Sequence, residues 1–179
     1  MAADDPGLGE AMADHPLLAR MAAETAARPE HRELDRLVGR WEVRTQWEVV
    51  GGGGWQRHHG SAENRWILAG RVLESRSCDH HGAEVSRCYL AFDPSAGDYI
   101  AFSASVLSTY FVLERGTFDP LGPALVLEGS EPVPSMGQIR FRRTITFVDD
   151  ERYALAVTYP DHPDGPFGRM FVEHRRTGP

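Results

Sequence analysis

Residues 141–159 read FRRTITFVDDERYALAVTY, and this stretch decides the fold. Apolar and aromatic residues recur at every second position on both sides of a turn signal at 149–151, which is the period of a β-strand with one buried face. In a hairpin closed by that turn, Phe147 faces Tyr153 and Arg143 faces Val157, because opposing residue numbers have a constant sum. This register puts every large apolar side chain of the hairpin on one face.

The same period-two pattern begins at Trp41 and continues toward the C-terminus, between turn signals rich in Gly, Pro and Asp. Nearly all the connections are short enough for hairpins, so consecutive strands form an up-and-down meander. An open sheet of this size would leave two unpaired edges, and we therefore expect an all-β fold, a single closed antiparallel β-barrel. A barrel of about ten strands is wider than its side chains usually fill, which predicts an internal cavity. The predicted strands are 41–49, 55–68, 71–80, 84–93, 98–105, 108–118, 124–130, 138–148, 152–159 and 167–176.

The N-terminal segment differs from the strands. Residues 1–29 form a helical or flexible lead-in to the barrel domain at 30–177, and stretch 17–28 is rich in helix formers. The lead-in fits a tail, a lid or the contact of a homodimer, and its composition does not choose among these.

A second short helix is predicted immediately before the first strand. Pro29 suits its first turn, and Gly39 suits its end. Leu34, Leu37 and Val38 then make one short apolar stripe, which needs an apolar surface to cover.

Composition excludes several classes of function. All 19 basic residues are Arg, so the chain has neither a Schiff-base lysine nor a phosphate-loop lysine. The net charge is −7 and the basic residues are scattered, so we expect neither nucleic acid nor a membrane as a partner. Without a signal peptide or an apolar run of spanning length, the chain is predicted to be cytoplasmic, with both cysteines as free thiols.

Five sequence blocks resemble a bacterial family of unknown function related to the lipocalins. The Gly39-x-Trp41 opening followed by the block at 63–66 is the most specific part of the likeness, which covers about residues 30–177. The resemblance implies a lipocalin-like barrel with an entrance helix that plugs one end, and it implies no established reaction. The blocks are 34–43 (LDRLVGRWEV), 62–68 (AENRWIL), 70–74 (GRVLE), 116–119 (GTFD) and 148–152 (VDDER).

Two departures from this family bear on the cavity. Where members usually carry a Trp and an Asp on the strand after Tyr99, this chain has Ser103 and Ser105. The smaller side chains should enlarge or reshape the cavity, which makes both serines candidate ligand contacts.

Arg143 is the first candidate for chemistry. It shares the predicted apolar face with Phe141 and Ile145, and a permanently charged guanidinium between apolar walls requires a partner. One interpretation is a ligand carboxylate, phenolate or enolate, with Tyr159 or Tyr153 adding a hydroxyl. The other is an internal ion pair, or an arginine that reaches out through the barrel mouth.

The last strand allows two registers. One directs Phe167, Phe171 and Glu173 inward. A shift of one residue instead directs Met170, Val172 and His174 inward. The family resemblance favours the second. His174 would then be a hydrogen-bonded core residue, a general acid or base, or an axial haem ligand, since haem-binding barrels of related shape place a histidine near the chain end.

Charged residues also face each other across the second hairpin. Arg65 is predicted opposite Glu74, and Glu63 opposite Arg76, while Trp66 lies on the other face. If the charged face is solvated, each pair contributes only a few tenths of a kcal/mol. If it lines the cavity, it is a polar network suited to binding or proton transfer.

Histidines and cysteines cluster near one end of that hairpin. Imidazole and thiolate suit transition metals, but the spacing matches no zinc pattern and adjacent histidines point to opposite faces of a strand. We therefore expect neither a metal site nor a resident cofactor. The residues are His59 opposite His80, His58 opposite His81, and Cys88 facing Cys78.

These observations predict a barrel that binds a small, mostly apolar or aromatic molecule, oriented by Arg143, tyrosines and His174. The alternative is a cofactor-independent cyclase, isomerase or dehydratase of small-molecule biosynthesis. In it, Arg143 stabilises developing negative charge and His174 or Glu74 moves a proton. A haem- or metal-binding barrel is a third option that rests on histidine placement alone. The further candidate ligand contacts are Arg65, Trp66, Ser103, Ser105, Tyr110, Phe141, Tyr153 and Tyr159.

Overall fold

A computed structural model describes residues 15–24, 26–49, 54–133, 136–161 and 169–178. Ten antiparallel strands form a closed barrel in which each strand pairs with its sequence neighbours and β1 also pairs with β10. Closure leaves no sheet edge, as the sequence predicted. The strands are β1 (Gly39–Val49), β2 (Gly54–Ile67), β3 (Val72–Asp79), β4 (Glu84–Asp93), β5 (Asp98–Ser105), β6 (Val112–Phe118), β7 (Ala124–Val133), β8 (Gly137–Asp149), β9 (Arg152–Thr158) and β10 (Met170–Gly178).

Among the described residues, three short helical segments precede the barrel. Helix α1 (Pro16–Glu24) has no buried residue, and α2 (Pro29–Arg32) begins at the predicted proline. A 3-10 helix (Glu33–Leu37) then leads into β1. Among the described residues, no helix has the length and apolarity needed to span a membrane. The expectation of a homodimer stays a prediction.

The 3-10 helix closes one end of the barrel. Leu34 is fully buried there and Leu37 nearly so, within the main hydrophobic cluster of the interior. Two side chains from the strands hydrogen-bond to the backbone of residues 29–37, which we call the plug. Trp41 Nε1 donates to the Leu37 carbonyl over 2.9 Å, and Tyr99 Oη donates to the Glu30 carbonyl over 2.8 Å. The predicted apolar stripe therefore covers the hydrophobic core at this end of the barrel.

Gly39 starts β1 instead of ending a helix. Its φ of +132° lies where residues with a side chain are strained, and a Cβ there would collide with the Arg176 guanidinium. That guanidinium in turn donates to the Val38 carbonyl over 2.6 Å and stacks 4.2 Å from the Trp41 ring centroid. The glycine thus lets the plug join the barrel closely.

The predicted registers of the C-terminal hairpins are confirmed. Arg143 pairs with Val157 and Phe147 with Tyr153. On β10, His174 pairs with Tyr153, which is the register that directs Met170, Val172 and His174 inward. Phe167 lies outside the described residues.

The start of β6 differs from the prediction. β6 begins at Val112 and not at residue 108, because the chain turns first. Ser105 Oγ accepts a hydrogen bond from the Leu107 N–H over 3.3 Å, and Ser108 Oγ donates to the Tyr110 carbonyl over 3.3 Å. Such local side-chain bonds compete with the strand ladder.

Candidate functional site

The interior of the barrel has two halves that differ in the size and burial of the side chains lining them. The half next to the 3-10 helix, which we call the plug half, is closely packed. The other, the distal half, is lined by inward-facing side chains on the strand ends away from that helix. The plug half comprises Trp41, Leu73, Leu90, Tyr99, Ala101, Leu125 and Phe147, all buried. The distal half comprises Ser77, Ser86, Ser103, Ser105, Val112, Glu131, Ile139, Phe141, Tyr159 and Met170.

Small polar side chains form one wall of the distal half. The pairing of β3, β4 and β5 puts these residues on the same face as buried Leu73 and Leu90, so they point into the barrel. Yet each is only partly buried. Small side chains at inward positions fill less volume than the large residues at the equivalent positions of the plug half. The wall consists of Ser75, Ser77, Ser86, Ser103 and Ser105, with Cys88 among them.

The facing wall is apolar and aromatic. Strands β7, β8 and β9 contribute a second hydrophobic cluster, separate from the core of the plug half. The Phe141 and Tyr159 rings lie 6.4 Å apart between centroids. The large inward residues of the distal half therefore lie on one wall and the small ones on the other. The cluster comprises Val133, Ile139, Phe141, Val157 and Tyr159, with Val112, Leu155 and Met170 packed against it.

Arg143 lies at the boundary of the two halves, and its partner is internal. Its Nε lies 2.8 Å from Glu114 Oε2, and the two side chains are 13% and 2% exposed. The contact is close, but the N–H does not point along a hydrogen bond. Both terminal nitrogens lie 3.9 Å from Cys88 Sγ. Of the two interpretations of Arg143, the internal ion pair is the one observed.

Burial and charge act in opposition on this pair. Burial raises the pKa of Glu114 above its ordinary value, and the Arg143 guanidinium opposes that rise. Burial also disfavours the charged guanidinium, but Glu114 and Cys88 more than offset it and raise the pKa of Arg143. Burial raises the pKa of the Cys88 thiol despite the nearby guanidinium. Arg143 therefore stays charged and Cys88 stays a thiol at neutral pH.

Sequence reasoning missed Glu114, although a signal existed. Glu114 alternates with Val112 and Gly116 on β6, so the argument that found Arg143 on an apolar face would have found it too. Gly129 lies opposite Glu114 across the ladder, and a Cβ there would come within 2.9 Å of both Glu114 Cγ and Phe141 Cζ. The glycine makes room for the carboxylate.

A second carboxylate also faces the interior. Glu131 Oε1 accepts a hydrogen bond from Tyr159 Oη over 2.8 Å, and Oε2 accepts one from Tyr110 Oη over 3.3 Å. Burial raises the pKa of both tyrosines, and the Glu131 carboxylate adds to the rise, so both hydroxyls stay protonated donors. Glu131 was missed because it lies one residue beyond the predicted end of its strand at 130.

His174 and Tyr153 belong to the packed part of the interior. Their rings stack with centroids 4.0 Å apart, and Tyr153 meets Trp41 edge to face at 4.7 Å. Asn64 Nδ2 donates to Tyr153 Oη over 3.2 Å. His174 is 7% exposed, its Nδ1 makes no well-formed hydrogen bond among the described residues, and burial lowers its pKa to about 4. The imidazole is therefore neutral near pH 7 and cannot act there as a general acid.

Glu74 and Arg65 lie on the outer face of the barrel. Their predicted pairing is confirmed, but Trp66 and Leu73 take the inward face of the same ladder. Glu74 is buried beneath Arg65 and Arg87, whose guanidiniums approach its two oxygens to 2.9 and 3.3 Å. The interpretation in which these residues line the cavity is wrong. Trp66 donates through Nε1 to Asp35 Oδ1 over 2.7 Å, which ties it to the plug and not to the distal half.

The histidines and cysteines are spread over the surface and interior. Cys88 pairs with Ser75 and Cys78 with Glu84, so the predicted facing of the two cysteines is wrong, because the β3–β4 ladder puts the partner of Cys88 three residues before Cys78. His58 stacks on Trp47, and the His80 and His81 rings contact each other at a tilt of 42°. Within the described ranges, no three His, Cys, Asp or Glu side chains come together as a metal site.

These features define a closed ten-stranded β-barrel with a helical plug, a buried ion pair, and a distal half with small polar residues on one wall and apolar residues on the other. Residues 26–176 match the family described as "Protein of unknown function (DUF1579)", and the chain belongs to that family. A search of curated protein sequences finds no significant match.

Two solved structures resemble this barrel. The crystal structure of Rv2717c from M. tuberculosis is similar with a TM-score of 0.58 and 15% identity, over 85% of this chain and 99% of that chain. A redesigned β-barrel is similar over 82% of this chain and 96% of its own, at 14% identity and a TM-score of 0.37, which is too low to support a conclusion. At such identities the likeness to Rv2717c concerns the fold alone.

Proposed function

We propose that this protein binds a small, mostly apolar or aromatic molecule in the distal half of its barrel, in the manner of a lipocalin. The observation that carries the proposal is the wall of inward, partly exposed serines on β3–β5, opposite the apolar cluster of β7–β9. Ligand sites are concave, mainly apolar and equipped with a few fixed polar groups. The distal half has this composition, and the plug half does not.

The polar groups available to such a ligand differ from those first expected. Ser103, Ser105, Tyr110 and Tyr159 line or adjoin the distal half, so they remain proposed ligand contacts. Arg143 can offer its terminal N–H groups, because Glu114 engages only the Nε side and the thiol at 3.9 Å is a weak acceptor. His174 and Tyr153 lie in the packed part of the interior, next to the distal half, and are not proposed as ligand contacts.

A filling substitution tests the proposal. Ser103→Leu would occupy the distal half, whereas Ala104→Leu adds the same side chain to the outer face of the same strand. Titrating each protein with neutral 1-naphthalenemethanol, followed by calorimetry, should show binding by the wild type and Ala104→Leu, and at least tenfold weaker binding by Ser103→Leu. Equal binding by both variants would place the probe elsewhere and contradict the proposal.

A native mass spectrum of the purified protein tests the same proposal without a chosen probe. A bound organic molecule supports it and identifies the ligand class. The added mass of haem or of a metal ion would instead favour the third option, in which the neutral His174 imidazole becomes the ligand.

Catalysis is the second candidate function, and one observation favours it. Glu114 is a buried carboxyl with a raised pKa beside a guanidinium, and such perturbed groups concentrate in active sites. In a cofactor-independent cyclase, isomerase or dehydratase, Glu114 would move the proton in place of Glu74, and Arg143 would stabilise negative charge. If a ligand is recovered, the wild type should convert it while Glu114→Gln only binds it. Recovery of unchanged ligand from the wild type would contradict catalysis and leave binding intact.

A further inference from the structure

Glu131 is the one distal-half carboxylate whose charge no described basic side chain offsets. Among the described residues, the interior ion pair joins Arg143 to Glu114, and the hydrogen bonds of the Glu131 carboxylate come from two tyrosine hydroxyls. Counting formal charges, Arg143 and Glu114 cancel, and Glu131 leaves one negative charge in this region. The hydrogen bonds from the two tyrosine hydroxyls fix the position of the Glu131 carboxylate.

The carboxylate has room for another donor. An ionised carboxylate offers about four acceptor positions, and the two hydroxyls use one on each oxygen. The surroundings are apolar and aromatic: Tyr159 packs against Phe141, and Ile139 pairs with Glu131 across the ladder. A carboxylate among aromatic rings suits an ammonium group on an apolar body, since the rings add cation–π attraction.

The charge also disfavours acidic ligands. Arg143, which the sequence suggested as an anion receptor, is already paired with Glu114. Glu131 acts electrostatically on that pair, because its charge contributes to the raised pKa of Glu114. A ligand carboxylate entering the distal half would meet a second carboxylate and a compensated guanidinium, and it would lose its hydration without gaining a free cation.

We infer that Glu131, held by Tyr110 and Tyr159, receives the ammonium group of a small hydrophobic amine. The inference rests on the proposed function and specifies its ligand class. The apolar cluster of β7–β9 would hold the body of the molecule, and the serine wall would complete the enclosure.

Three probes with one ring system and different head groups test the inference. They are 1-naphthylmethylamine, 1-naphthalenemethanol and 1-naphthoate, which at pH 7 are cationic, neutral and anionic. Calorimetric titration of the full chain should give at least tenfold tighter binding of the amine than of the alcohol, and the weakest binding for the carboxylate. Glu131→Gln should remove most of the amine's advantage while leaving alcohol binding within about threefold.

The control is Glu128→Gln, which removes the same charge from the exposed outer face of the same strand. It should leave the order and the ratios of the three probes unchanged. Tyr159→Phe, which deletes one hydrogen bond to Glu131 and keeps the ring, provides a second variant and should reduce the amine's advantage severalfold. Far-ultraviolet circular dichroism confirms that each variant is folded.

The outcomes separate the two proposals. If the alcohol binds to the wild type but the amine has no advantage, or the carboxylate binds best, the amine inference is overturned and ligand binding stands. If the amine's advantage survives in Glu131→Gln and Tyr159→Phe alike, Glu131 is not its receptor. If no probe binds to the folded wild type, the failure reaches the proposed function itself.

Discussion

The plug half and the distal half of the interior are built on the same ten strands, yet their side chains differ in size and accessibility. On β5, Ala101 faces inward and is fully buried, while Ser103, two residues further on the same face, is only partly buried. On β8, Phe147 packs in the plug half, and Phe141 faces the distal half. The plug half has an element that covers it, the 3-10 helix with Leu34 and Leu37.

This contrast between the two halves predicts which substitutions affect stability and which affect binding. Close packing with aromatic contacts and a covering helix accounts for the fold in the plug half, and substitutions there should act on stability. The distal half is the proposed ligand site, so substitutions there should act on binding. The Glu114–Arg143 pair lies between the two and should contribute to both.

Breaking that ion pair should have the largest effect. Arg143→Met leaves Glu114 buried without its cation, which should lower the free energy of unfolding by about 3–5 kcal/mol. Replacing both partners, as in Arg143→Met with Glu114→Leu, should recover much of the loss because no charge stays buried. Urea unfolding of the two single variants and the double variant measures this. A single variant that loses less than about 1 kcal/mol would show that the pair is already well solvated.

Removing the cover of the plug half should come next. Leu34→Ala deletes a fully buried side chain and should cost about 2–5 kcal/mol in unfolding free energy. The exposed Leu121, at a turn outside the core, provides the control, and Leu121→Ala should change it by less than about 0.5 kcal/mol. Equal effects of the two substitutions would contradict a packed plug.

Acidification should affect the plug half through His174. Its pKa is about 4 in the folded protein and near 6.5 when unfolded, so the unfolded state binds the proton first. The protein should therefore lose up to about 3 kcal/mol as the pH falls from about 6.5 to about 4, and nothing from this group above that range.

His174→Phe is the matched variant, because it keeps a ring against Tyr153 and removes the titrating group. Chemical denaturation at pH 7 and pH 4.5 should show a smaller loss for this variant than for the wild type. An identical loss in both proteins would assign the acid sensitivity to other groups.

The smallest effects come from adding volume to both halves on one strand. Ala101→Val puts two methyl groups into the packed half and should cost about 1–3 kcal/mol. Ser103→Val adds volume to the distal half and should change the free energy of unfolding by less than about 1 kcal/mol. Thermal unfolding compares the two. A larger loss for Ser103→Val would mean that the distal half is as full as the plug half.

Much of this architecture could be predicted from the sequence, and the exceptions have physical causes. The β8–β9 register follows from alternation around one turn, and the closed barrel follows from hairpins that would otherwise leave edges. Alternation assigns residues to faces, but it cannot say which face is inside when both carry polar groups. Arg65 and Glu74 illustrate this limit, since only the path of the closed barrel puts their face outward.

The candidate site was harder to predict than the fold. Arg143 was found because it interrupts an apolar face, but its partner Glu114 lies on a strand 29 residues earlier, and no local pattern joins the two. Glu131 depended on a strand end that propensity set at 130 and the ladder extends to Val133. Which charged side chains meet across the interior depends on how all ten strands close the barrel, and no single segment of the sequence determines that.

Mapping the bound probe onto the barrel shows most directly whether the distal half is a ligand cavity. Amide chemical shifts of the isotope-labelled protein are recorded by NMR during titration with 1-naphthalenemethanol. We expect the perturbed amides to concentrate at Ser103, Val112 and Phe141, while those of Leu73 and Leu125 stay unchanged. Perturbations confined to the outer face or to the plug half, or none at saturating probe, would contradict it.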